Sequence, residues 1–210
     1  MISIIIPTYN RPQSLDRTLE GIYKSKVKPK EIVIIDQSED EKIQKAYTDI
    51  IDKYTDIGIN LIYFWLQPPS STAARNEGVN LAKEEICIYM DDDVDIDDEL
   101  FERIVKIMDD EKVALIAGLD KLSSEAKDKV TSYLLGTKDK KKRGTGYVTK
   151  SILGRYPKVS DINSEIPTEW AMGYFFVVRK SLLDKFDIKW DENLKGYAYA
   201  EDLDFSVRYC

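Results

Sequence analysis

A chain of 210 residues with 31 Lys+Arg, 38 Asp+Glu and no histidine carries a formal charge of −7, and these numbers already remove several functions. The acidic balance excludes general nucleic-acid affinity, which needs basic side chains gathered on one face. Without imidazole there is no Ser/His/Asp or Cys/His nucleophile, no histidine-containing zinc site and no histidine base, so carboxylates must do any acid–base work. The length suits one α/β domain, and 43% hydrophobic residues are enough to bury a sizeable core. The two cysteines, Cys87 in an apolar run and Cys210 at the end, form no disulfide framework and fit a reducing cytoplasm. No signal segment is visible, and Ile2–Ile6 is far shorter than the roughly 20 apolar residues of a bilayer helix.

In chain order, short β-branched runs predict strands at Ile2–Ile6, Glu31–Asp36, Asn60–Leu66, Glu85–Met90, Val113–Gly118 and Tyr174–Arg179. Between the first five, Gln13–Ser25, Glu41–Tyr54, Thr72–Lys83 and Asp98–Asp110 carry apolar positions at helical spacing. Such alternation predicts a doubly wound, mostly parallel sheet flanked by helices. Ligands bind such sheets beyond the carboxyl ends of the strands. Pro7–Arg11, Asp36–Asp40, Gln67–Arg75 and Asp91–Asp95 are therefore expected at one edge. From Lys121 to Thr168 the periodicity weakens, predicting one short helix near Ala126–Leu135 and a mobile basic run at Lys138–Arg143. A last helix starts near Glu201, and the chain ends in its opening turns, which reads as a truncation. Residues 1–120 are expected to form a nucleotide-binding half and 121–210 an acceptor-side half of one catalytic domain.

The strongest chemical signal is Asp91-Asp92-Asp93, directly after the apolar run Ile86–Met90. Clustered carboxylates at the end of a buried strand raise one another's ionisation cost, which a hard divalent cation relieves. A solvated acidic turn is the weaker alternative. A calcium-loop reading fails because Ile96 and Asp98 stand where that loop needs glycine and an apolar residue. At the end of the first strand, Thr8 and Asn10 offer polar groups, and Tyr9 and Arg11 suit a base or a phosphate. An ordinary strand-to-helix turn capped by Ser14 reads equally well. Asp36 suits a base N–H or a ribose hydroxyl, whereas Ser38 and Asp40 read better as helix caps. Arg75 lies in a first helical turn, where the macrodipole disfavours cations. It calls for an anionic partner, a diphosphate or a neighbouring carboxylate, unless it is simply exposed. Glu201-Asp202 is an acidic pair at a helix start, where capping and function are equally legible.

Taken in order, these segments resemble the inverting GT-A glycosyltransferases of family 2. The resemblance rests on Pro7-Thr8-Tyr9-Asn10, Ile35-Asp36-Gln37-Ser38-Glu39-Asp40, Ala74-Arg75-Asn76-Glu77-Gly78, Asp91-Asp92-Asp93, Trp190-Asp191-Glu192-Asn193-Leu194 and Glu201-Asp202-Leu203-Asp204 with Arg208. It implies a nucleotide-sugar donor, UDP-linked by preference, held with Mg2+ or Mn2+, and a glycan or lipid-linked acceptor. It further implies that Pro7, Thr8, Tyr9, Asp36, Gln67, Arg75, Asp91 and Asp92 bind the donor nucleotide. Asp93, with Asp91, would hold the metal. Asp202 would be the catalytic base, while Trp170, Gly173 and Glu201 would meet the acceptor or donor sugar. Asp191 is the competing base. A cytoplasmic enzyme of polysaccharide or cell-wall synthesis follows, with membrane association through a continuation beyond residue 210. Among the alternatives, a sugar-nucleotide pyrophosphorylase lacks support because Pro7–Gln13 holds no glycine. A non-catalytic carbohydrate-binding relative would have little use for both acidic clusters.

Overall fold

A computed structural model describes residues 1–55, 58–119, 145–149, 153–156, 164–194 and 200–210. The most apolar runs form the middle of the sheet. Strands β1 (Ile2–Thr8), β2 (Glu31–Asp36) and β4 (Ile86–Met90) are buried almost throughout, as parallel strands covered on both faces must be. Alternate residues serve opposite layers. Ile4, Ile6, Ile32, Ile34 and Ile88 meet Leu15, Leu19 and Ile22 of α1 (Pro12–Lys24), Tyr47 of α2 (Glu41–Thr55), and Phe101 and Ile104 of α4 (Leu100–Met108). Ile5, Val33, Ile35, Cys87 and Tyr89 meet Ala74 of α3 (Ser71–Leu81), Leu183 of α5 (Lys180–Phe186), and Phe205 and Tyr209 of α6 (Glu201–Tyr209).

The six-stranded sheet has the order β3-β2-β1-β4-β8-β5, with β3 at Asn60–Trp65, β5 at Leu115–Ala117 and β8 at Phe175–Arg179. β3, β2, β1 and β4 pair in parallel, whereas β8 runs antiparallel to both β4 and β5. The mostly parallel α/β fold is therefore as expected, and β8 is its one reversed member. Two short strands, β6 (Tyr147–Val148) and β7 (Gly154–Arg155), pair separately.

The differences from the sequence expectation have local causes. β5 is shorter than Val113–Gly118 because the Val113 N–H closes a turn on Asp110 and the Ala114 carbonyl accepts from Tyr209. α1 starts at Pro12 with Arg11 in the cap position, so Ser14 lies inside the helix and does not cap it; proline is well suited to a first helical position. α3 is capped by Ser70, whose Oγ accepts from the Ala73 N–H at 3.3 Å. Asp97 accepts from the Glu99 N–H in a turn, which delays α4 to Leu100. α5 follows β8 without a break, and the sequence expectation placed no helix there. The helix expected near Ala126–Leu135 and the basic run Lys138–Arg143 lie outside the described residues. Among those described, no helix is long and apolar enough to cross a membrane.

α3 packs so closely on β1 that a Cβ on Gly78 would overlap Ile5 Cγ2, a fully buried atom. Gly78→Ala gains about 1 kcal/mol of helix propensity but overpacks the core at a typical cost of about 1–3 kcal/mol. Urea unfolding is expected to show net destabilisation; a variant more stable than the parent would mean that the helix can move off the sheet.

Candidate active site

The carboxyl ends of β1, β2 and β4 open into a cavity of about 650 Å³ lined by Pro7, Thr8, Tyr9, Arg75, Asp91 and, from the other half of the chain, Trp170, Gly173, Glu201 and Asp202. The three consecutive aspartates are placed differently: Asp91 lines the cavity, and Asp92 and Asp93 do not. Asp92 is fully buried; its Oδ2 accepts from Thr8 Oγ1 at 2.5 Å, and its Oδ1 lies 2.7 Å from Arg11 Nη2. With the Thr8 hydroxyl donating to Asp92, the Tyr47 hydroxyl donates to Thr8 Oγ1 at 2.8 Å and accepts from the Arg11 N–H at 2.8 Å. Burial pushes the Asp92 carboxyl above its ordinary range, against the Thr8 hydrogen bond and Arg11. Asp93 is half-exposed and meets Arg11 Nη1 at 2.9 Å. Asp91 forms part of the cavity wall, 3.6 Å from Arg75 Nη2, and burial pushes its carboxyl up to about 6 despite that cation.

The opposite wall is built by α6. Ala200 precedes it at φ 70°, in the left-handed region, where a residue with a Cβ bears strain of about 1 kcal/mol or more. No side chain caps the helix in the N-cap manner; Glu201 and Asp202 turn into the cavity instead. Asp202 Oδ2 accepts from the Gly173 N–H at 2.9 Å, and its Oδ1 accepts from the Leu203 N–H at 2.8 Å. Glu201 Oε1 accepts from Ser71 Oγ at 2.7 Å and pairs with Arg75 Nη1, while its Oε2 is buried without a partner. The Arg75 side chain is only 7% exposed, and its guanidinium lies over the Trp190 ring, 4.6 Å from the centroid. Its anionic partners are therefore neighbouring carboxylates.

The remaining candidates separate by depth. The Tyr9 ring is 46% exposed at the cavity mouth, whereas Thr8 is buried beneath it. Asp36 is fully buried: Oδ1 accepts from the Ser38 N–H at 2.8 Å and Oδ2 from the Tyr63 hydroxyl at 2.7 Å. Asp40 accepts from the Lys42 N–H at 2.8 Å at the start of α2, while Ser38 Oγ accepts from the Asn10 N–H at 2.9 Å. Gln67 stands outside the lining, and its Nε2 donates to the Gln37 carbonyl at 2.7 Å. The Trp170 ring stacks on Tyr156, with centroids 4.6 Å apart, and lies so close to Gly154 that a Cβ there would overlap it. Asp191 lies elsewhere, in a shallow hollow with Lys189, Glu192 and Arg208, where it accepts from the Asn193 N–H at 2.9 Å. Sequence reasoning missed Tyr47, which read as one apolar position of a helical stripe, and Ser71 and Tyr63, which carried no motif.

The donor set suits a hard divalent cation, because Asp91 and Asp93 present carboxylate oxygens and neither is tied down by backbone donors. Among the described residues no group of three or more His, Cys, Asp or Glu forms a metal cage. Two protein carboxylates would thus need oxygens from a ligand or water to complete a coordination shell.

The sequence model of glycosyl transferase family 2 matches residues 3–186. The curated poly(ribitol-phosphate) beta-N-acetylglucosaminyltransferase TarP of Staphylococcus aureus is 24% identical over 212 residues, covering 99% of this chain and 57% of its own. Crystalline S. aureus TarS in complex with UDP-GlcNAc superposes with a TM-score of 0.64 at 23% identity, covering 99% of this chain and 52% of that one. The mannosyltransferase PcManGT of Pyrobaculum calidifontis, in complex with GDP-Man and Mn2+, gives 0.65 at 15% identity, covering 97% and 50%. The chain thus spans about half the length of these relatives, and the structural likeness establishes the GT-A fold.

The Arg75–Glu201 pair is the most buried ion pair around the cavity. Losing one partner of such a pair costs about 3–5 kcal/mol, and replacing both with apolar groups costs far less. Urea unfolding is expected to place Arg75→Met well below the Arg75→Met/Glu201→Leu double variant in stability. Additive losses would show that the two charges are not coupled.

Proposed function

Because the chain belongs to glycosyl transferase family 2, we propose that the cavity binds a nucleotide-sugar donor with a divalent cation and transfers the sugar, with inversion, to an acceptor hydroxyl. The observation that carries the reading is the placement of Asp202. It faces the same cavity as Asp91, from an element 109 to 111 residues further along the chain than the three aspartates at the end of β4, and the Gly173 N–H fixes one of its oxygens. An inverting base must reach the anomeric carbon from the side opposite the leaving group.

In this reading Tyr9 offers its exposed ring to the base. Asp36 acts beneath it, holding the Gln37–Ser38 backbone in place from below. Asp93 and Asp91 would hold Mg2+ or Mn2+. That ion, when bound, neutralises charge gathering on the diphosphate as it leaves. Arg75, paired with Glu201 and Asp91, adds fixed positive potential on the donor side of the cavity. Asp202 accepts the hydroxyl proton as the acceptor oxygen bonds to the anomeric carbon and the bond from that carbon to the diphosphate oxygen breaks. Water-excluding walls come from Trp170, Met172 and Tyr174.

The likeness to TarP and TarS over nearly the whole chain favours a UDP-linked N-acetylhexosamine as donor. TarP's polymer acceptor, together with the 26% identity over 91 residues to the amylovoran biosynthesis glycosyltransferase AmsB of Erwinia amylovora, favours a cell-surface polysaccharide or polyol polymer as acceptor. A cytoplasmic site, at the inner membrane face, is where such donors and lipid-linked acceptors meet. Removing a general base lowers turnover by about 10²–10⁴ while leaving donor binding intact. With UDP-GlcNAc and Mn2+, Asp202→Asn is expected to bind UDP in calorimetry as the parent does and to lose UDP release on that scale. Near-parental turnover in Asp202→Asn, with an inactive Asp191→Asn, would move the base to the other turn.

A further inference from the structure

Arg11 stands where α1 begins, and its guanidinium bridges two carboxylates of unequal freedom. Nη2 lies 2.7 Å from Asp92 Oδ1, and Nη1 lies 2.9 Å from Asp93 Oδ2. The Asp92 end is immobile, because that carboxylate is fully buried and also held by Thr8, whose hydroxyl is fixed in turn by Tyr47. The Arg11 backbone is tied to the same tyrosine through its N–H. The Asp93 end is loose: the carboxylate is 47% exposed, and Arg11 is the only ion-pair partner it has among the described residues. Arg11 also lines the cavity, beside Thr8, Tyr9 and Asp91. A guanidinium therefore occupies one of the carboxylate oxygens, Oδ2, that a cation on Asp93 would use, and it is hinged on a carboxylate that stays behind.

We propose that Arg11 is a built-in counter-ion that competes with the divalent cation for Asp93 and is transferred to the donor's diphosphate when cation and donor arrive together. This rests on the nucleotide-sugar reading above. In the free protein the guanidinium neutralises Asp93 and keeps cation affinity low. When a diphosphate enters, the Nη1 end leaves Asp93 for phosphate oxygens, which suit a planar fork of donors, and Nη2 stays on Asp92. Asp93 is then free to ligate. The cation and the nucleotide bind cooperatively, because each removes what opposes the other, and by linkage each raises the other's affinity by the same factor. Arg11 is a positioning residue here, acting on the cation through Asp93.

The test is a Mn2+ titration followed by electron paramagnetic resonance on the 210-residue chain, with and without UDP, needing no turnover. The parent is expected to bind Mn2+ weakly alone and more tightly with UDP. Arg11→Gln is expected to bind Mn2+ alone about fivefold more tightly than the parent, the scale of a half-exposed ion pair, and to show a smaller gain on adding UDP. Arg11→Lys, whose single ammonium cannot bridge both carboxylates, is expected to fall between the two. Should Arg11→Gln fail to fold because Asp92 keeps a buried, unpaired charge, Arg11→Gln/Asp92→Asn removes both and carries the same expectation. Unchanged or weaker Mn2+ affinity in the folded variant, with parental Mn2+ binding still promoted by UDP, overturns the role of Arg11 alone. Failure of the parent to bind Mn2+ even with UDP overturns the nucleotide-sugar reading and this inference together.

Discussion

Three carboxylates in succession cannot stand at the end of a wholly buried strand unless positive charge is brought to them, and much of this fold serves that requirement. Asp92 sits in the interior, where an unpaired charge costs several kcal/mol, and Asp91 and Asp93 add their repulsion. Two arginines supply the balance: Arg11 from the N-cap of α1, where a cation is locally unfavourable, and Arg75 from the second turn of α3. The helix dipole opposes Arg11 by about 0.3–1 kcal/mol, less than a close, partly buried carboxylate returns. The parallel βα units bring these helix starts to the edge where β4 ends. The charge problem and its solution are thus both products of the winding.

Arg75 also joins the two halves of the chain. Its guanidinium reaches Glu201 on α6 and Asp91 after β4, and rests on Trp190. Trp190 belongs to an aromatic cluster with Tyr89, Phe176 and Phe205, in which the Trp190 and Phe205 rings stack at 4.3 Å. Asn76, next to Arg75, clasps the Trp190 backbone in both directions, accepting from its N–H at 2.9 Å and donating to its carbonyl at 3.0 Å. The segment around Asp191 therefore acts as a clasp that seats the Trp190 ring under Arg75. A motif-like acidic turn in the sequence has here a packing role, while the similar turn at Glu201-Asp202 faces the cavity.

The layered α/β architecture was legible because β-branched runs of five to seven residues alternate with amphipathic stretches, and that pattern depends on burial alone. The edge where ligands bind followed from the winding. The antiparallel insertion of β8 between β4 and β5 could not be read, since a strand of Phe175–Arg179 looks the same in either direction and its neighbours lie about 60 to 90 positions away. At the site, the residue types were legible but their depth was not. Asp36, Asp92 and Tyr9 all occupy strand-end motifs, yet Asp36 and Asp92 are fully buried and Tyr9 is half-exposed. Tyr47 was invisible because its ring belongs to the core while only its hydroxyl reaches Thr8 and Arg11. The left-handed turn at Ala200, which aims Asp202, has no signal in an alanine.

The account depends on one spatial claim: the carboxylates after β4 and the acidic pair opening α6 share a single ligand. A crystal structure with UDP and Mn2+, with the ion located by its anomalous scattering, tests that directly. The account predicts Mn2+ coordinated by Asp93 and the diphosphate, the uracil against Tyr9, and Asp202 facing the far side of the pyrophosphate. UDP bound in the hollow around Asp187 and Asp191, or Mn2+ held without contact to Asp91 or Asp93, would contradict it.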